Sequence, residues 1–135
     1  SINPHHFCMP VVKNEEDLIA LRNFATSGNK NFFLGTDSAP HPIEFKVPNL
    51  KSKPGIFSAP CSIEIYASIF DEEKSLDNLE KFCSINGPKF YKLPVNADQI
   101  ELIEERWTVP EHTIHQEIKI KNFMGGKELN WKLKA

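Results

Sequence analysis

Two side chains in the segment 33–46, Asp37 and His41, have the types and spacing that catalysis or ligand binding would use. The segment reads FLGTDSAPHPIEFK. Asp37 directly follows a short apolar run that is typical of a buried strand, and α/β proteins gather ligands and catalytic groups at the C-terminal ends of such strands. A carboxylate there can bind a metal ion or act as a general base, and the alternative is that it caps the next turn.

His41 lies in a loop between Pro40 and Pro42. Because the two prolines restrict backbone rotation on both sides, they would hold the imidazole in a preferred direction. The alternative is a surface histidine without a binding role. The residues alone therefore offer a carboxylate and an imidazole in one loop, and they leave both interpretations open.

The other titratable residues form no known catalytic or metal-binding motif. His5 and His6 are adjacent and would point to opposite faces of a strand, so we expect no shared metal ion there. The same expectation holds for His112 and His115. Cys8, beside the first pair, is a weak candidate nucleophile because no orienting group accompanies it. The sequence contains no Gly-rich phosphate loop and no GxSxG, HExxH or CxxC motif.

The elements around this loop alternate between helix and strand. Asn14 is a candidate N-cap, acidic residues follow it, and apolar residues recur at helical spacing, which predicts an amphipathic helix over 15–27. The run 31–36 predicts a buried strand, and the proline-rich stretch 37–55 predicts a long loop. A helix that leads into a buried strand is typical of an α/β protein.

Two further helices and a strand-rich tail are predicted beyond the loop. One helix begins near Pro60, and a second begins at Ser75 and ends at the Gly-Pro pair 87–88. In the last 35 residues, apolar and polar residues alternate in three runs, and Gly125-Gly126 separates the last two. This pattern predicts two or three antiparallel strands that end in a hairpin.

Composition and charge exclude several classes of protein. The chain has 135 residues, 40% of them hydrophobic and 25% charged, with 16 basic against 18 acidic side chains. This balance gives no broad basic surface for nucleic acid, and no apolar run is long enough to span a membrane. Three cysteines without CxxC spacing favour reduced thiols in the cytoplasm over a disulfide framework. Because the first residue is serine, we expect the chain to begin inside a larger protein.

The motif GTDSAPH at 35–41, followed by Lys46, resembles the second signature of the dihydroorotases, in their short bacterial biosynthetic class. Four other segments resemble that family in the same order. They are PHHFCMP at 4–10, GIFSAP at 55–60, FCSINGPKFY at 82–91 and LPVN at 93–96. The resemblance therefore extends over nearly the whole chain, although it covers only the C-terminal part of such an enzyme.

The resemblance implies a fold. The chain would be the C-terminal part of a (β/α)8 TIM-type barrel of a metal-dependent hydrolase, with a short C-terminal β tail. Residues 1–96 would supply strands seven and eight and the closing helices, and residues 97–135 the β-rich tail. Part of a barrel leaves an open sheet edge, so we expect the chain to need a partner.

The resemblance also implies an activity, the reversible zinc-dependent cyclisation of N-carbamoyl-L-aspartate to L-dihydroorotate in pyrimidine biosynthesis. Asp37 would bind one of two zinc ions and move a proton, and His41 would bind the substrate carboxylate. Met9 and Pro54 would contact the substrate through their backbones. Pro54 stands where the family typically has alanine, and proline has no N–H to donate.

Most of the family's metal-binding set has no counterpart here, namely an HxH motif, a carboxylated lysine and two further histidines. Because one carboxylate cannot form a two-metal site, we expect this chain alone to be inactive and to need the N-terminal barrel portion. The family analogy further implies a cytoplasmic homodimer. The alternatives are a non-catalytic homologue that serves as a scaffold or binding module, and a related cyclic-amide hydrolase such as a hydantoinase.

Overall fold

The computed structural model describes residues 3–11, 14–48 and 51–134. Its α-helices are α1 (Glu15–Thr26), α2 (Ser62–Glu72) and α3 (Asn86–Tyr91), and its strands are β1 (Leu102–Thr108), β2 (His112–His115), β3 (Ile118–Lys121) and β4 (Glu128–Leu133). The chain divides into two compact units. The first unit contains Ser1–Val12, Thr36–Ser62 and Trp107–Glu128, and the second contains Lys13–Gly35, Ile63–Arg106 and Leu129–Ala135. The proposed division into 1–96 and 97–135 stays a prediction.

Helix α1 forms where the local signals predict it. The Asn14 side chain accepts from the N–H of Asp17, and the Asp17 side chain accepts from the N–H of Asn14, which completes a capping box. The apolar side chains of α1 nevertheless remain exposed, with Leu21 at 66% and Phe24 at 54%. In the described residues, the amphipathic face of α1 is therefore uncovered.

The prediction of a buried strand over 31–36 is wrong for this chain. The segment forms no ladder with any other described segment, and its three apolar side chains are only partly buried. It is held instead by scattered hydrogen bonds, in which the Leu34 N–H donates to the Phe82 carbonyl and the Asn86 side chain donates to the Phe32 carbonyl. A strand requires a hydrogen-bonded neighbour, and this segment finds none here.

The core of the second unit is aromatic. Phe70 of α2 is fully buried, and its ring centroid lies 5.5 Å from that of Phe82. Phe82 lies in a π-helical turn, Lys81–Ile85, which runs directly into α3. The prediction that Gly87-Pro88 ends the helix that begins at Ser75 is wrong. These two residues lie in the first turn of α3, where the missing N–H of proline is not needed.

The predicted strand-rich tail is present, with a different pairing. β2 and β3 form an antiparallel hairpin, and β1 pairs with β4. The hairpin turn is at Gln116, which adopts a positive φ of 53°, and not at Gly125-Gly126. The glycine pair does form a turn, but β4, which follows it, pairs with β1 and not with β3. No described helix has the length and apolar character needed to cross a membrane.

Candidate functional site

The loop that carries Asp37 and His41 is anchored to the segment 55–59 within the first unit. Ser38 forms an isolated parallel bridge with Ile56, and the Ala39 N–H donates to the Ile56 carbonyl at 3.0 Å. The Ser38 hydroxyl also accepts hydrogen bonds from the N–H groups of Ser58 and Ala59. The backbone between the candidate carboxylate and the candidate imidazole is therefore held in place.

Asp37 is exposed and has a positive φ of 44°, a conformation that aspartate tolerates better than most residues. Its carboxylate makes no hydrogen bond with another described residue, whereas the neighbouring hydroxyl of Ser38 satisfies the N–H groups of the next turn. A turn-capping role for Asp37 is thus not observed in the described parts of the chain. The carboxylate is available for a ligand or a metal ion.

His41 and Pro54, two of the predicted site residues, lie in contact. The His41 Nε2 atom is 2.9 Å from the Pro54 carbonyl oxygen. Because a carbonyl only accepts, Nε2 carries the proton in this contact. The contact uses the carbonyl of Pro54 and not its nitrogen, so the missing N–H does not affect it.

Gly55 allows this contact. It has a φ of +137°, which L-residues rarely adopt. A Cβ at this position would lie 3.0 Å from both Cδ2 and Nε2 of His41, and 2.5 Å from the Cβ of Ala39. The absence of a side chain at Gly55 therefore leaves the space that the imidazole occupies.

Met9 belongs to a third segment that is tied to the same loop. Its side chain is 59% exposed. Phe7, two residues before Met9, accepts a hydrogen bond from the Gly55 N–H at 2.9 Å. The first unit thus connects the segments of all three predicted binding residues, Met9, His41 and Pro54.

Lys46 is a residue of this site to which the sequence assigned no role. It is buried, and its Nζ donates to the carbonyl oxygens of Phe7 (3.1 Å), Lys53 (2.8 Å) and Gly55 (2.7 Å). Burial lowers the pKa of this ammonium from its usual value. In the sequence Lys46 stands out only as part of the motif that begins at Gly35, and only the tertiary contacts show what it holds.

Two of the remaining histidines, His5 and His6, lie at a different, positively charged cleft of the first unit. They line it together with Lys121. Burial lowers the pKa of His5, and the positive charges of Lys46 and Lys121 lower it further. In the described residues, no group of three or more His, Cys, Asp or Glu side chains could share a metal ion. The described part of the chain therefore contains no complete metal centre, and Asp37 stays a predicted ligand.

Known proteins resemble this chain closely over nearly all of its length. It is 47% identical over 132 residues to the dihydroorotase of Nitrosomonas europaea, and 44% identical over 134 residues to that of Yersinia enterocolitica. These alignments cover 98% and 99% of this chain, and 38% of each relative. The chain thus spans less than two fifths of the length of the curated relatives it matches. No family model matches it.

Solved structures give the same result. A crystal structure of dihydroorotase from Saccharomyces cerevisiae, in complex with 5-fluoroorotic acid, superimposes with a TM-score of 0.92 and 34% identity, over 98% of this chain and 38% of that one. A dihydroorotase from Campylobacter jejuni superimposes with a TM-score of 0.86 and 36% identity, over 100% of this chain and 39% of that one. The predicted fold class, the C-terminal part of a (β/α)8 barrel with a β tail, is confirmed. The chain therefore corresponds, in sequence and in fold, to the C-terminal portion of the dihydroorotases.

Proposed function

We propose that this chain is the C-terminal portion of a dihydroorotase and supplies part of its substrate site. The reaction would be the reversible cyclisation of N-carbamoyl-L-aspartate to L-dihydroorotate. The observation that carries the proposal is the contact of His41 with Pro54 in a loop that Lys46 and Gly55 connect to the Met9 segment. The family resemblance implies substrate contacts for three of these residues, Met9, His41 and Pro54.

His41 would bind the substrate carboxylate. Its Nε2–H donates to the Pro54 carbonyl, so Nδ1 is the ring atom that remains for a ligand. Nδ1 can donate to a carboxylate only when the ring is the imidazolium. We therefore propose that the imidazolium of His41, oriented by Pro54, binds the carboxylate in a charge-assisted hydrogen bond.

Met9 and Pro54 would contact the substrate through their backbones. The Pro54 carbonyl already accepts from His41, so a contact there would use the remaining lone pair of that oxygen or the proline ring. The yeast relative is described with 5-fluoroorotic acid. We expect the corresponding anion, 5-fluoroorotate, to bind this site in the complete protein.

Asp37 would be one ligand of a two-zinc centre. It fits a single ligand position, because it is exposed and its carboxylate has no partner in the described residues. These residues do not complete the centre, so we derive no catalytic step through the metal. The other ligands would come from the N-terminal barrel portion. A homodimeric assembly and a cytoplasmic location are further parts of this proposal.

The test is dihydroorotate hydrolysis by the complete protein and by this chain alone, with the intact mass measured on each sample. We expect activity only when the N-terminal portion and zinc are present. Asp37→Ala should abolish turnover and reduce bound zinc, whereas Asp77→Ala, an exposed aspartate in the second unit, should change neither. An inactive complete protein would favour the scaffold or binding-module alternative, and full activity of Asp37→Ala would remove this carboxylate from the mechanism.

A further inference from the structure

Lys46 is a buried cation whose three N–H donors all bind main-chain carbonyls. The residue is 6% exposed, and its Nζ lies 2.7–3.1 Å from the oxygens of Gly55, Lys53 and Phe7. An ammonium group has three donors, so its hydrogen-bonding capacity is fully used. One side chain therefore holds together the start of the chain and the end of the loop 42–55.

The carbonyls that Lys46 binds flank the one that orients His41. Lys53, Pro54 and Gly55 present three consecutive carbonyls, of which Lys46 binds the first and third and His41 the second. The position of the Pro54 oxygen, and with it the orientation of the imidazole, depends on where its two neighbours are held. Lys46 fixes both neighbours.

The same ammonium also fixes the Met9 segment. The Phe7 carbonyl accepts from both Lys46 Nζ and the Gly55 N–H, at 3.1 and 2.9 Å. Because Met9 follows Phe7 by two residues, its backbone is held relative to Pro54 by these bonds. Loss of the ammonium would leave only the Gly55 N–H to connect the two segments at this carbonyl.

The charge of Lys46 has no carboxylate partner among the described residues. It is balanced by three carbonyl dipoles and by the face of the Phe7 ring, whose centroid is 6.0 Å away, and none of these groups carries a negative charge, so the positive charge is retained in the loop. A fixed positive charge favours the approach of an anion. This is the electrostatic character that a site for a substrate carboxylate needs.

From these contacts we infer that Lys46 is a positioning residue of the carboxylate site, which orients His41 through Pro54 and holds the Met9 backbone beside them. The inference rests on the proposed function, because it names the support of that same site. Lys46 itself would not contact the substrate, since all three of its donors are engaged.

The experiment compares Lys46→Met with the wild type in the complete protein, using dihydroorotate as substrate and 5-fluoroorotate as inhibitor. Methionine keeps an unbranched side chain and removes the ammonium. We expect KM and Ki to rise together by about 10-fold or more, because a misoriented imidazole binds the carboxylate less well, with kcat changed far less. Lys119→Met, at an exposed lysine of β3, is the control and should match the wild type.

A purely structural role gives a different result. It would reduce the fraction of active protein, so kcat would fall while KM and Ki stayed at wild-type values, and that outcome would overturn the inference. If Lys46→Met does not fold, Lys46→Arg decides. The planar donors of arginine cannot match three converging carbonyls, so KM and Ki should rise in Lys46→Arg, though by less than the 10-fold expected for loss of the ammonium. Such a rise supports positioning, and unchanged values of KM and Ki refute it. An inactive wild type would instead refute the proposed function.

Discussion

Gly55→Ala should disable the carboxylate site through a single added methyl group. The backbone of Gly55 has a φ of +137°, where an L-residue is strained by about 1–3 kcal/mol. Its N–H donates to Phe7, and its carbonyl accepts from Lys46. A shift of this residue to relieve the strain would therefore also disturb the bonds that connect the Met9 segment to the loop.

The magnitude follows from the space around the new Cβ. It would lie 2.5 Å from the Cβ of Ala39 and 3.0 Å from Cδ2 of His41. Favourable carbon–carbon contacts need about 3.5–4.0 Å, so at least one group must move by about 1 Å. Ala39 has no flexible end that could yield, and its N–H is bound to Ile56, so the backbone of Gly55 should move. The adjacent Pro54 carbonyl, and with it the imidazole that it orients, should move too. A displacement of ~1 Å at a binding group costs about 100-fold in kcat/KM, or about 2.7 kcal/mol.

The assay is dihydroorotate hydrolysis by the complete protein, together with a thermal melt of each variant. Gly126→Ala is the matched control. It has a positive φ of 79° and is strained in the same sense, but its Cβ would meet only the flexible end of Glu111, at 3.3 Å. Both variants should lower Tm, and only Gly55→Ala should lower kcat/KM strongly. Equal kcat/KM values for the two variants would show that the space that Gly55 leaves for His41 does not affect activity.

Two further predictions concern titratable groups. Burial lowers the pKa of His5 below 6.5, so the folded protein binds fewer protons than the unfolded chain just below that pH, and stability should fall on acidification. Tm measured between about pH 7 and pH 5 should decrease, and less so in His5→Gln; an equal decrease in both would contradict this. Burial raises the pKa of Cys83 to about 11, so at pH 8 its iodoacetamide labelling should be about 100-fold slower in the folded than in the denatured protein. Equal rates, read by peptide mass spectrometry, would refute it.

Features that depend on neighbouring residues in the sequence were predictable. The Asn14 N-cap, the acidic first turn and the helical spacing fixed the start of α1, and the capping box is present. The loop that carries Asp37 and His41 was recognisable from its prolines and its motif. These local signals do not show which side chains and main-chain groups of the loop contact each other.

Features that depend on distant partners were predicted wrongly or missed. The run 31–36 has the composition of a strand, but pairing needs a neighbour that the described residues do not provide. The β2–β3 hairpin turns at Gln116, a residue type that gives no turn signal, while Gly125-Gly126 gives a strong one. Lys46 is buried where three carbonyls from two segments, 53–55 and the one around Phe7, converge on it, which no local pattern encodes.

Three incomplete features of different kinds have one common explanation. The apolar side chains of α1 are exposed, the extended segment 31–36 lacks a ladder, and Asp37 lacks other metal ligands around it in the described residues. Barrel helices cover apolar faces, barrel strands pair on both sides, and barrel metal sites draw ligands from several strands. The relatives contain the barrel portion that would supply all three, and this chain matches 38% of their length. The proposed carboxylate site differs, because the contact of His41 with Pro54 and the bonds of Lys46 to Phe7, Lys53 and Gly55 lie within the first unit. Under the proposed function, this chain would organise the substrate-binding part of the site by itself and would contribute only one ligand, Asp37, to the metal-binding part.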